Sequence, residues 1–518
     1  MSKSTFVKST LILSVATLLS KVLGSIFRIP LQNIAGDEVL GIFSLVYPVY
    51  MVALILSVAG IPIAISKLIA EARIKNELET IKHLYITASI LAILFGIISF
   101  TLIYSYSPLL AATLGGSSTR LALIVVAATL LVAPYMAVYR GFFQGFEDMG
   151  PTAVSQVIEQ FIRVGFILLV AYYLVSNGFS DEIVAGGVMA GSVIGALFSL
   201  LYLRLKYNRS HFKLSPVGTY SYQTFTTWSK NILKVSIPIA IGAITMALLN
   251  FVDSITIPYG LESAGIKTSN ITYLYGIYGR GLSLVQIATV LATSIVLPLI
   301  PLITTKLAAK DYGKTRDIIE KTHRITHLTS WPAAIGLLAL TLPLNLALFT
   351  NVEGSLTLAI LGFSSVFTSL TVLGTGILQG MNLANQAAII IVVGVVIKTF
   401  SNIYFIDLFG LNGAALSTLI VYIILFVINS SYIRKQLSFK IFNAEIFKMV
   451  FSSLTMGAII GIPTLFFSFE YWSRIQALSY VLLAIVFGSG FYFMQLYVMK
   501  VIDKDTCRSL PFIGKLMK

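Results

Sequence analysis

Long apolar runs recur along the whole chain, and they restrict its possible folds more than any other feature. A helix crosses a bilayer with roughly 20 apolar residues, and about 14 runs of that length can be read along the sequence. They lie near 9–31, 40–66, 83–107, 120–145, 152–176, 182–205, 232–258, 272–304, 325–349, 355–380, 384–406, 411–433, 447–468 and 475–499. Because 57% of the residues are hydrophobic and only 11% are charged, a water-soluble fold could not bury this much apolar surface. The sequence therefore predicts an all-α polytopic membrane protein with about 14 transmembrane helices.

Lysine and arginine are distributed unevenly over the segments between these runs. When the N-terminus is placed in the cytoplasm and the spans alternate, most of the 36 cations lie in cytoplasmic segments. The outer segments then hold only Arg28, Arg120, Lys267 and Arg474. An excess of cations on the cytoplasmic side is typical of membrane proteins. It predicts a multi-pass protein of the cytoplasmic membrane with both termini in the cytoplasm, and it explains the net charge of +15 without a nucleic-acid partner.

The second half of the chain repeats landmarks of the first half. Two motifs recur in the same order: Ile-Pro before a lysine (Ile61–Lys67 and Ile300–Lys306), and Gly-x-x-Gln-Gly (Gly141–Gly145 and Gly376–Gly380). In each half a cation follows the glutamine at the same distance, at Arg163 and at Lys398. The repeat relates spans one to six to spans seven to twelve in one orientation, as in transporters built from parallel repeats. We predict an N-terminal lobe of six helices (1–205), a cytoplasmic linker (206–231), a C-terminal lobe of six helices (232–433), and helices 13 and 14 with a cytoplasmic tail (434–518).

Six charged residues are assigned to the membrane interior. The cations are Lys21, Arg163, Arg280 and Lys398, and the acids are Glu159 and Asp253. An ionised side chain is costly in hydrocarbon, so such residues usually face a polar cavity or a partner charge. Glu159 precedes Arg163 by one helical turn, the favourable order for an ion pair. Asp253 lies at a depth similar to that of Arg280, so it either pairs with that residue or binds a coupling cation such as Na⁺ or H⁺.

Motifs for nucleotide hydrolysis, covalent catalysis and metal binding are missing from the sequence. The chain has no Gly-x-x-x-x-Gly-Lys-Ser/Thr loop, and no Ser-His-Asp or paired-carboxylate arrangement stands out. The histidines, His83, His211, His323 and His327, are expected in or beside basic loops, and no ligand pattern of carboxylates or cysteines accompanies them. We therefore expect a transporter without a metal or an organic cofactor, and not an enzyme.

Several segments resemble the stage V sporulation protein B-like proteins, in the polysaccharide-transporter branch of the multidrug/oligosaccharidyl-lipid/polysaccharide flippase superfamily. The resemblance covers most of the chain and is carried by Lys8–Leu13, Ser20–Gly24, Ile61–Glu71, Arg140–Gly145, and Ser155–Gln160 with Arg163. It implies two six-helix lobes around a central cavity. It also implies that a polyprenyl-pyrophosphate-linked saccharide is flipped across a bacterial membrane by alternating access. The expected partners are this substrate, membrane lipids and cell-wall synthesis enzymes around a monomeric transporter.

The more distant lipid II flippases suggest which residues hold the pyrophosphate. Lys21 matches their first-helix arginine, Arg28 lies one residue from their second, and Arg280 matches their arginine in helix eight. Their acid near that arginine is replaced by Ser283, and their arginine in helix two has no equivalent after Tyr47-Pro48. This resemblance predicts pyrophosphate binding by Lys21, Arg28 and Arg280. We expect sugar contacts from the nearby polar and aromatic residues Gln32, Tyr47, Tyr50 and Tyr278. Because the site has fewer cations, lipid II and other glycans both remain open as substrates.

Three alternative functions compete with a flippase. A cation-coupled drug exporter of the same superfamily would favour buried acids, whereas buried cations outnumber acids here. A membrane enzyme of polysaccharide assembly, such as a polymerase, would need a sizeable outer loop, and the outer segments are short. A scaffold for cell-wall or spore assembly would not need charges buried at corresponding places in the two halves of the chain.

Overall fold

A computed structural model describes residues 3–58, 60–212, 214, 220–437 and 443–502, and the regular structure within these ranges is entirely helical. The helices are α1 (Lys3–Ile26), α2 (Arg28–Val58), α3 (Ile61–Ile74), α4 (Leu78–Ser105), α5 (Ser107–Thr113), α6 (Arg120–Ala127), α7 (Ala133–Gly145), α8 (Gly150–Ser176), α9 (Asp181–Asn208), α10 (Tyr222–Ser263), α11 (Thr268–Ala308), α12 (Tyr312–Ala339), α13 (Thr341–Phe349), α14 (Ser355–Gly380), α15 (Ala384–Phe409), α16 (Leu411–Gln436), α17 (Ala444–Gly461) and α18 (Arg474–Val498). Part of the predicted linker and the tail with Cys507 lie outside the described residues.

Each predicted apolar run coincides with one helix or with helices separated by a short break. Within the described ranges, 10 helices are long and apolar enough to cross a membrane, or up to 12 if each of two bent pairs forms one span. The all-α membrane fold predicted from the sequence is therefore confirmed, while the count of 14 stays a prediction. The bends measure 44° within α11 and 79° between α12 and α13.

Glycine and proline account for breaks in the N-terminal helices. Gly36 has φ 81° and ψ −178°, a conformation that only glycine adopts without strain. It interrupts α2 between the first and second predicted spans. Pro62 lies in the first turn of α3, where its missing N–H leaves no hydrogen bond unmade. Membrane helices tolerate such breaks when neighbouring helices bury the exposed backbone groups.

The helices form two compact units. The first unit consists of Met1–Gly279 and Ile391–Gly410, and the second consists of Arg280–Ile390 and Leu411–Lys518. One apolar core of the first unit joins α2, α6, α8 and α9, and another joins α3, α4 and α7. In the second unit, α12 packs with α14 and α16 on one side and with α17 and α18 on the other. The lobe boundaries proposed from the repeat stay a prediction.

The first copy of the repeated glycine motif packs α7 against α3. A Cβ atom added at Gly141 would lie 2.7 Å from the carbonyl oxygen of Pro62, and one at Gly145 would lie 2.8 Å from Cβ of Ile69. Both distances are shorter than real Cβ contacts. These glycines therefore allow the two helices to approach more closely than larger residues would permit.

The second copy makes the corresponding helix pair in the second unit. A Cβ atom at Gly376 of α14 would lie 2.4 Å from Cγ1 of Val296 in α11, and one at Gly380 would lie 3.1 Å from the carbonyl oxygen of Ile300. In both copies, the glycine helix packs on the helix that carries the Ile-Pro motif. The repeat in the sequence is thus also a repeat of helix packing.

Candidate functional site

The predicted site residue Lys21 lies on the face of α1 that packs against α8. Thr17 of α1 donates a hydrogen bond to Oε1 of Gln156 at 3.1 Å, and a Cβ atom at Gly24 would lie 3.0 Å from Nε2 of Gln160. Residues four and seven apart share a helix face, so Lys21 belongs to this face. Its side chain is half-buried.

Arg28 begins α2 and is only 5% exposed. Its guanidinium carbon lies 5.5 Å from the ring centroid of Phe43 and 5.8 Å from that of Tyr47. These two rings stack on each other with centroids 5.3 Å apart. The cation–π contacts fix the guanidinium without neutralising its charge. Arg28, which the charge count placed in an outer segment, is therefore an interior residue of the first unit.

Arg163 of α8 contacts the same aromatic group. Its guanidinium carbon lies 5.2 Å from the ring centroid of Tyr47 and 5.9 Å from that of Phe27. Phe27 in turn packs edge-on against Phe43 at 5.4 Å. We call this group, Phe27, Arg28, Phe43, Tyr47 and Arg163, the arginine–tyrosine cluster. It brings together one cation predicted to bind substrate and one predicted to have a coupling or structural role.

The ion pair expected between Glu159 and Arg163 is replaced by another. Glu159 accepts a hydrogen bond from Nη2 of Arg140 at 2.6 Å, and the same arginine donates to Ser155 Oγ at 3.0 Å and to Ser199 Oγ at 3.1 Å. Arg140 comes from α7 and reaches Glu159 across the α7–α8 interface. Arg163 lies one turn farther along α8, where Glu159 still attracts it electrostatically but at more than ion-pair distance.

Asp253 of α10 pairs with Lys398 of α15 in the interior of the first unit. The ammonium nitrogen lies 2.9 Å from Oδ2, and the two side chains are 1% and 2% exposed. Tyr278 donates to the same oxygen at 3.1 Å, and Asn402 donates to Oδ1 at 2.9 Å. The sequence suggested Arg280 or a coupling cation as the partner of Asp253, whereas the structure pairs this carboxylate with Lys398. The cation beside Asp253 in this structure is the ammonium group of Lys398.

Arg280 belongs to the second unit and is fully buried. Its Nη1 donates to Oδ1 of Asn345 at 3.1 Å and to Oδ1 of Asn351 at 2.8 Å. The guanidinium carbon lies 5.4 Å from the ring centroid of Phe349, at the end of α13. Residues in α13 and just after it thus hold this arginine through two amide groups and one ring.

The residues proposed for sugar contact differ in exposure. Tyr50 is 4% exposed and its ring lies 5.8 Å from that of Tyr47, which is half-buried. Gln32 is buried and donates to Oδ2 of Asp37 at 3.2 Å. Tyr278 is fully buried beside Asp253. Of the four, only Tyr47 combines partial exposure with direct contact to the cluster arginines.

Two histidines lie in a helix instead of a loop. His323 and His327 are buried in α12, their ring centroids are 6.2 Å apart, and Trp331 donates to Nδ1 of His327 at 2.9 Å. The expectation that they belong to a basic loop is wrong, because α12 begins at Tyr312 and includes both. Among the described residues, no group of three or more His, Cys, Asp or Glu could hold a metal ion.

Sequence reasoning missed the polar partners of the buried charges. Arg140, Asn345, Asn351 and Asn402 each bond to a predicted charge. Asn402 is the most conspicuous of the four in the sequence, because it is polar within an apolar run and lies one turn from Lys398. Arg140 falls among the cytoplasmic cations in the charge count, and that position does not indicate a partner within the helix bundle.

An apolar groove runs along the second unit beside the last two helices. Its volume is about 450 Å³, and α11, α12, α13, α17 and α18 line it. Leu284, Pro332, Leu340, Met456, Ile460 and Phe493 are among its side chains. Such a surface suits a hydrocarbon chain and offers little to a charged group.

Comparison with sequence families finds one that covers more than half of the chain. The family described as "Polysaccharide biosynthesis protein" matches residues 6–306. The matching curated relatives include three from Bacillus subtilis (strain 168). The uncharacterised membrane protein YabM is 29% identical over 511 residues, 98% of this chain and 95% of its own length. The lipid II flippase MurJ is 28% identical over 542 residues, 98% of both chains. Stage V sporulation protein B is 26% identical over 531 residues, 100% of both chains.

Solved structures share the fold. The inward closed conformation of lipid II flippase MurJ superposes with a TM-score of 0.62 and 17% identity, covering 94% of this chain and all of that one. An inward-facing MATE family multidrug transporter of the MOP superfamily gives a TM-score of 0.68 and 15% identity, covering 83% of this chain and 98% of its own. At these identities, the likeness concerns the arrangement of the helices.

Proposed function

Because this chain belongs to the polysaccharide biosynthesis protein family, we propose that it is a flippase that moves a polyprenyl-pyrophosphate-linked saccharide across the cytoplasmic membrane. The saccharide would be a precursor of peptidoglycan or of another surface polysaccharide. Relatives named lipid II flippase MurJ and stage V sporulation protein B, each aligned over nearly the whole chain, support this proposal. The observation that carries it is the arginine–tyrosine cluster, in which Arg28 is buried without a carboxylate partner among the described residues.

Pyrophosphate recognition follows from the chemistry of this cluster. A guanidinium group that is held by rings keeps its charge and its N–H donors, and it can form short, charge-assisted hydrogen bonds to phosphoryl oxygens. Lys21, on the face of α1 that packs against α8, adds a further cation to the first unit. Arg280 is the candidate anion ligand of the second unit, and it would leave its bonds to Asn345 and Asn351 to bind substrate.

The remaining parts of the substrate need different surfaces. Aromatic side chains such as Tyr47 and Tyr50 offer flat apolar faces and hydroxyl groups, which suit sugar rings. The apolar groove beside α17 and α18 suits part of the prenyl tail. The proposed mechanism is binding on one side, rearrangement of the helices and release on the other side, without covalent chemistry.

The alternative of a cation-coupled drug exporter has less support. Such a protein would need a buried carboxylate available to a cationic substrate. The two intramembrane acids singled out in the sequence are both engaged, Glu159 by Arg140 and Asp253 by Lys398. The likeness to MATE transporters concerns the fold, and it does not favour their substrates.

Transport can be tested with the purified full-length protein in proteoliposomes. The vesicles would contain a polyprenyl-pyrophosphate-linked saccharide such as lipid II, and an impermeant sugar-modifying enzyme would report how much substrate reaches the outer leaflet. We expect faster exposure than in protein-free vesicles, a loss of activity in Arg28→Gln, and normal activity in Arg209→Gln, an exposed arginine that serves as the control. No acceleration with any lipid-linked saccharide tested would contradict the proposal.

The identity of the glycan needs a separate measurement. The gene would be expressed in a bacterial strain that lacks its own lipid II flippases. Growth would assign the peptidoglycan precursor as a substrate. Absence of growth, despite a normal protein level and activity in vesicles, would assign another lipid-linked saccharide.

A further inference from the structure

We propose that Arg163 is a substrate-binding residue and that Arg163 and Arg28 together form a two-cation site for the phosphate groups of the substrate. This inference rests on the proposed function and extends it to a residue on a different helix. Arg28 begins α2 and Arg163 lies in the middle of α8, so the site joins two helices that are far apart in the sequence.

The first step is that the carboxylate nearest in sequence to Arg163 is already engaged. Glu159 receives the 2.6 Å hydrogen bond from Arg140, which also binds Ser155 and Ser199. This polar group satisfies Glu159 from the α7 side. Among the described residues, no carboxylate lies within 4.0 Å of the Arg163 or the Arg28 guanidinium. Arg163 is therefore not explained as the structural partner of an acid.

The second step concerns hydrogen-bond donors. The Nε atoms of both Arg28 and Arg163 are buried and have no hydrogen-bond partner within the part of the chain that the structure describes. A buried donor without a partner costs free energy, and the cost is larger for a charged group. An unsatisfied donor in a native structure calls for an explanation, and a ligand that binds it in another step of the functional cycle is one.

The third step is electrostatic. Both guanidinium carbons lie within 6 Å of the Tyr47 ring centroid, at 5.8 and 5.2 Å. Two like charges on one ring repel each other. The apolar rings of Phe27 and Phe43 lie beside the two guanidinium groups, and an apolar environment strengthens the repulsion. An anion between them would turn the repulsion into two attractions. The rings hold the cations in place, but only an anion would balance their charge.

A pyrophosphate fits these requirements better than a single carboxylate. It carries more than one negative charge and presents several acceptor oxygens on two phosphorus atoms, so each guanidinium can form its own pair of hydrogen bonds. Lipid headgroup phosphates share part of this chemistry. The test must therefore separate a prenyl pyrophosphate from the phosphate of a bulk membrane lipid.

The experiment measures binding of geranyl pyrophosphate, a short prenyl pyrophosphate, to the full-length protein in nanodiscs of phosphatidylcholine. We expect Arg163→Gln to bind about 10- to 100-fold more weakly, the change expected when charge-assisted hydrogen bonds are lost. Arg163→Lys should lose less because it keeps the charge. Arg209→Gln, at an exposed position, is the control and should bind normally.

Several outcomes would decide against the inference. If the wild-type protein binds and Arg163→Gln binds equally well, Arg163 is not a ligand, while the proposed function stands. If the wild-type protein binds no prenyl pyrophosphate, the anion site of the proposed function fails as well. If nanodiscs of phosphatidylglycerol abolish binding, the site takes lipid headgroups instead. If Arg163→Gln has a lowered melting temperature, the test passes to Arg163→Lys, provided that its melting temperature is normal. Arg163→Lys must then bind geranyl pyrophosphate more weakly than the wild-type protein, and equal binding would refute the proposal.

Discussion

Four buried charges in the first unit fall into two arrangements. Asp253 and Lys398 neutralise each other and are further bonded by Tyr278 and Asn402. Arg28 and Arg163 of the cluster contact aromatic rings and keep their charge available. The first arrangement stabilises a helix contact, and the second leaves hydrogen-bonding capacity unused. Single substitutions should therefore affect stability at one place and substrate binding at the other.

Removing one member of the Asp253–Lys398 pair should destabilise the protein. Lys398→Met leaves a buried carboxylate without its ammonium partner, a change that costs about 3–5 kcal/mol, whereas replacing both partners is often neutral. We expect Lys398→Met to lower the melting temperature of the detergent-solubilised protein and Asp253→Asn/Lys398→Met to recover most of the loss. Lys67→Met, which breaks an exposed pair with Glu71, should cost less than about 1 kcal/mol. Equal melting temperatures for Lys398→Met and Lys67→Met would contradict this prediction.

Glu159 should be energetically coupled to Arg140 more strongly than to Arg163. Two double-mutant cycles on thermal stability would be measured. One combines Arg140→Gln with Glu159→Gln, and the other combines Arg163→Gln with Glu159→Gln. Residues in direct contact show coupling of roughly 0.5–3 kcal/mol, so we expect a value in this range for Arg140 and a smaller one for Arg163. A larger coupling for Arg163 would restore it as the structural partner of Glu159.

The sequence was sufficient to locate the buried charges but not to pair them. A lysine or an arginine within an apolar run is conspicuous, so Lys21, Arg163, Arg280 and Lys398 could all be found by inspection. The partners of the buried charges come from other helices. Glu159 is bound by Arg140, and Arg280 is bound by Asn345. Spacing along one helix favoured Glu159 with Arg163, and it carried no information about a residue that approaches from α7.

At the scale of helices, the repeated glycines decide which elements approach closely. Gly141 and Gly145 bring α7 onto α3, and Gly376 and Gly380 bring α14 onto α11. The motif was visible in the sequence as a repeat, but its packing partner was not. Spanning helices are apolar on most sides, so hydrophobic periodicity does not reveal the face that packs inside the bundle. Helix positions were predictable from length and composition alone.

Substituting one of these glycines should disturb the helix pair. Gly141→Ala places a Cβ atom 2.7 Å from the Pro62 carbonyl oxygen, so one helix must shift, at a cost of about 1–3 kcal/mol. Gly165→Ala in α8 is the matched control, because a Cβ atom there meets nothing within 4 Å. The control should be neutral or stabilise the helix by about 0.5–1 kcal/mol. Melting curves of the two variants in detergent should differ in direction, and a Gly141→Ala variant as stable as the control would refute the close-packing argument.

At the scale of the whole molecule, the orientation in the membrane rests on the distribution of cations. In a Cys507→Ser background, single cysteines would be placed at Ser269, predicted outside, and at Lys75, predicted inside; both residues are exposed. We expect an impermeant maleimide added to intact cells to label Ser269→Cys and to leave Lys75→Cys unlabelled until the membrane is opened. The native Cys507 should behave like Lys75→Cys. Labelling of Lys75→Cys or of Cys507 from outside would reverse the predicted orientation.

If the arginine–tyrosine cluster crosses part of the membrane field during the proposed transport cycle, its charge makes that cycle sensitive to voltage. The Arg140–Glu159 and Asp253–Lys398 pairs each sum to zero charge, whereas Arg28 and Arg163 add two positive charges. Carrying one elementary charge through the full membrane potential is worth about 2.3 kcal/mol per 100 mV. An inside-negative potential would then draw the empty cluster toward the cytoplasm, and a bound anion with two negative charges would cancel that force. In such a cycle, the electric field drives the return of the empty protein and leaves the loaded step nearly unaffected.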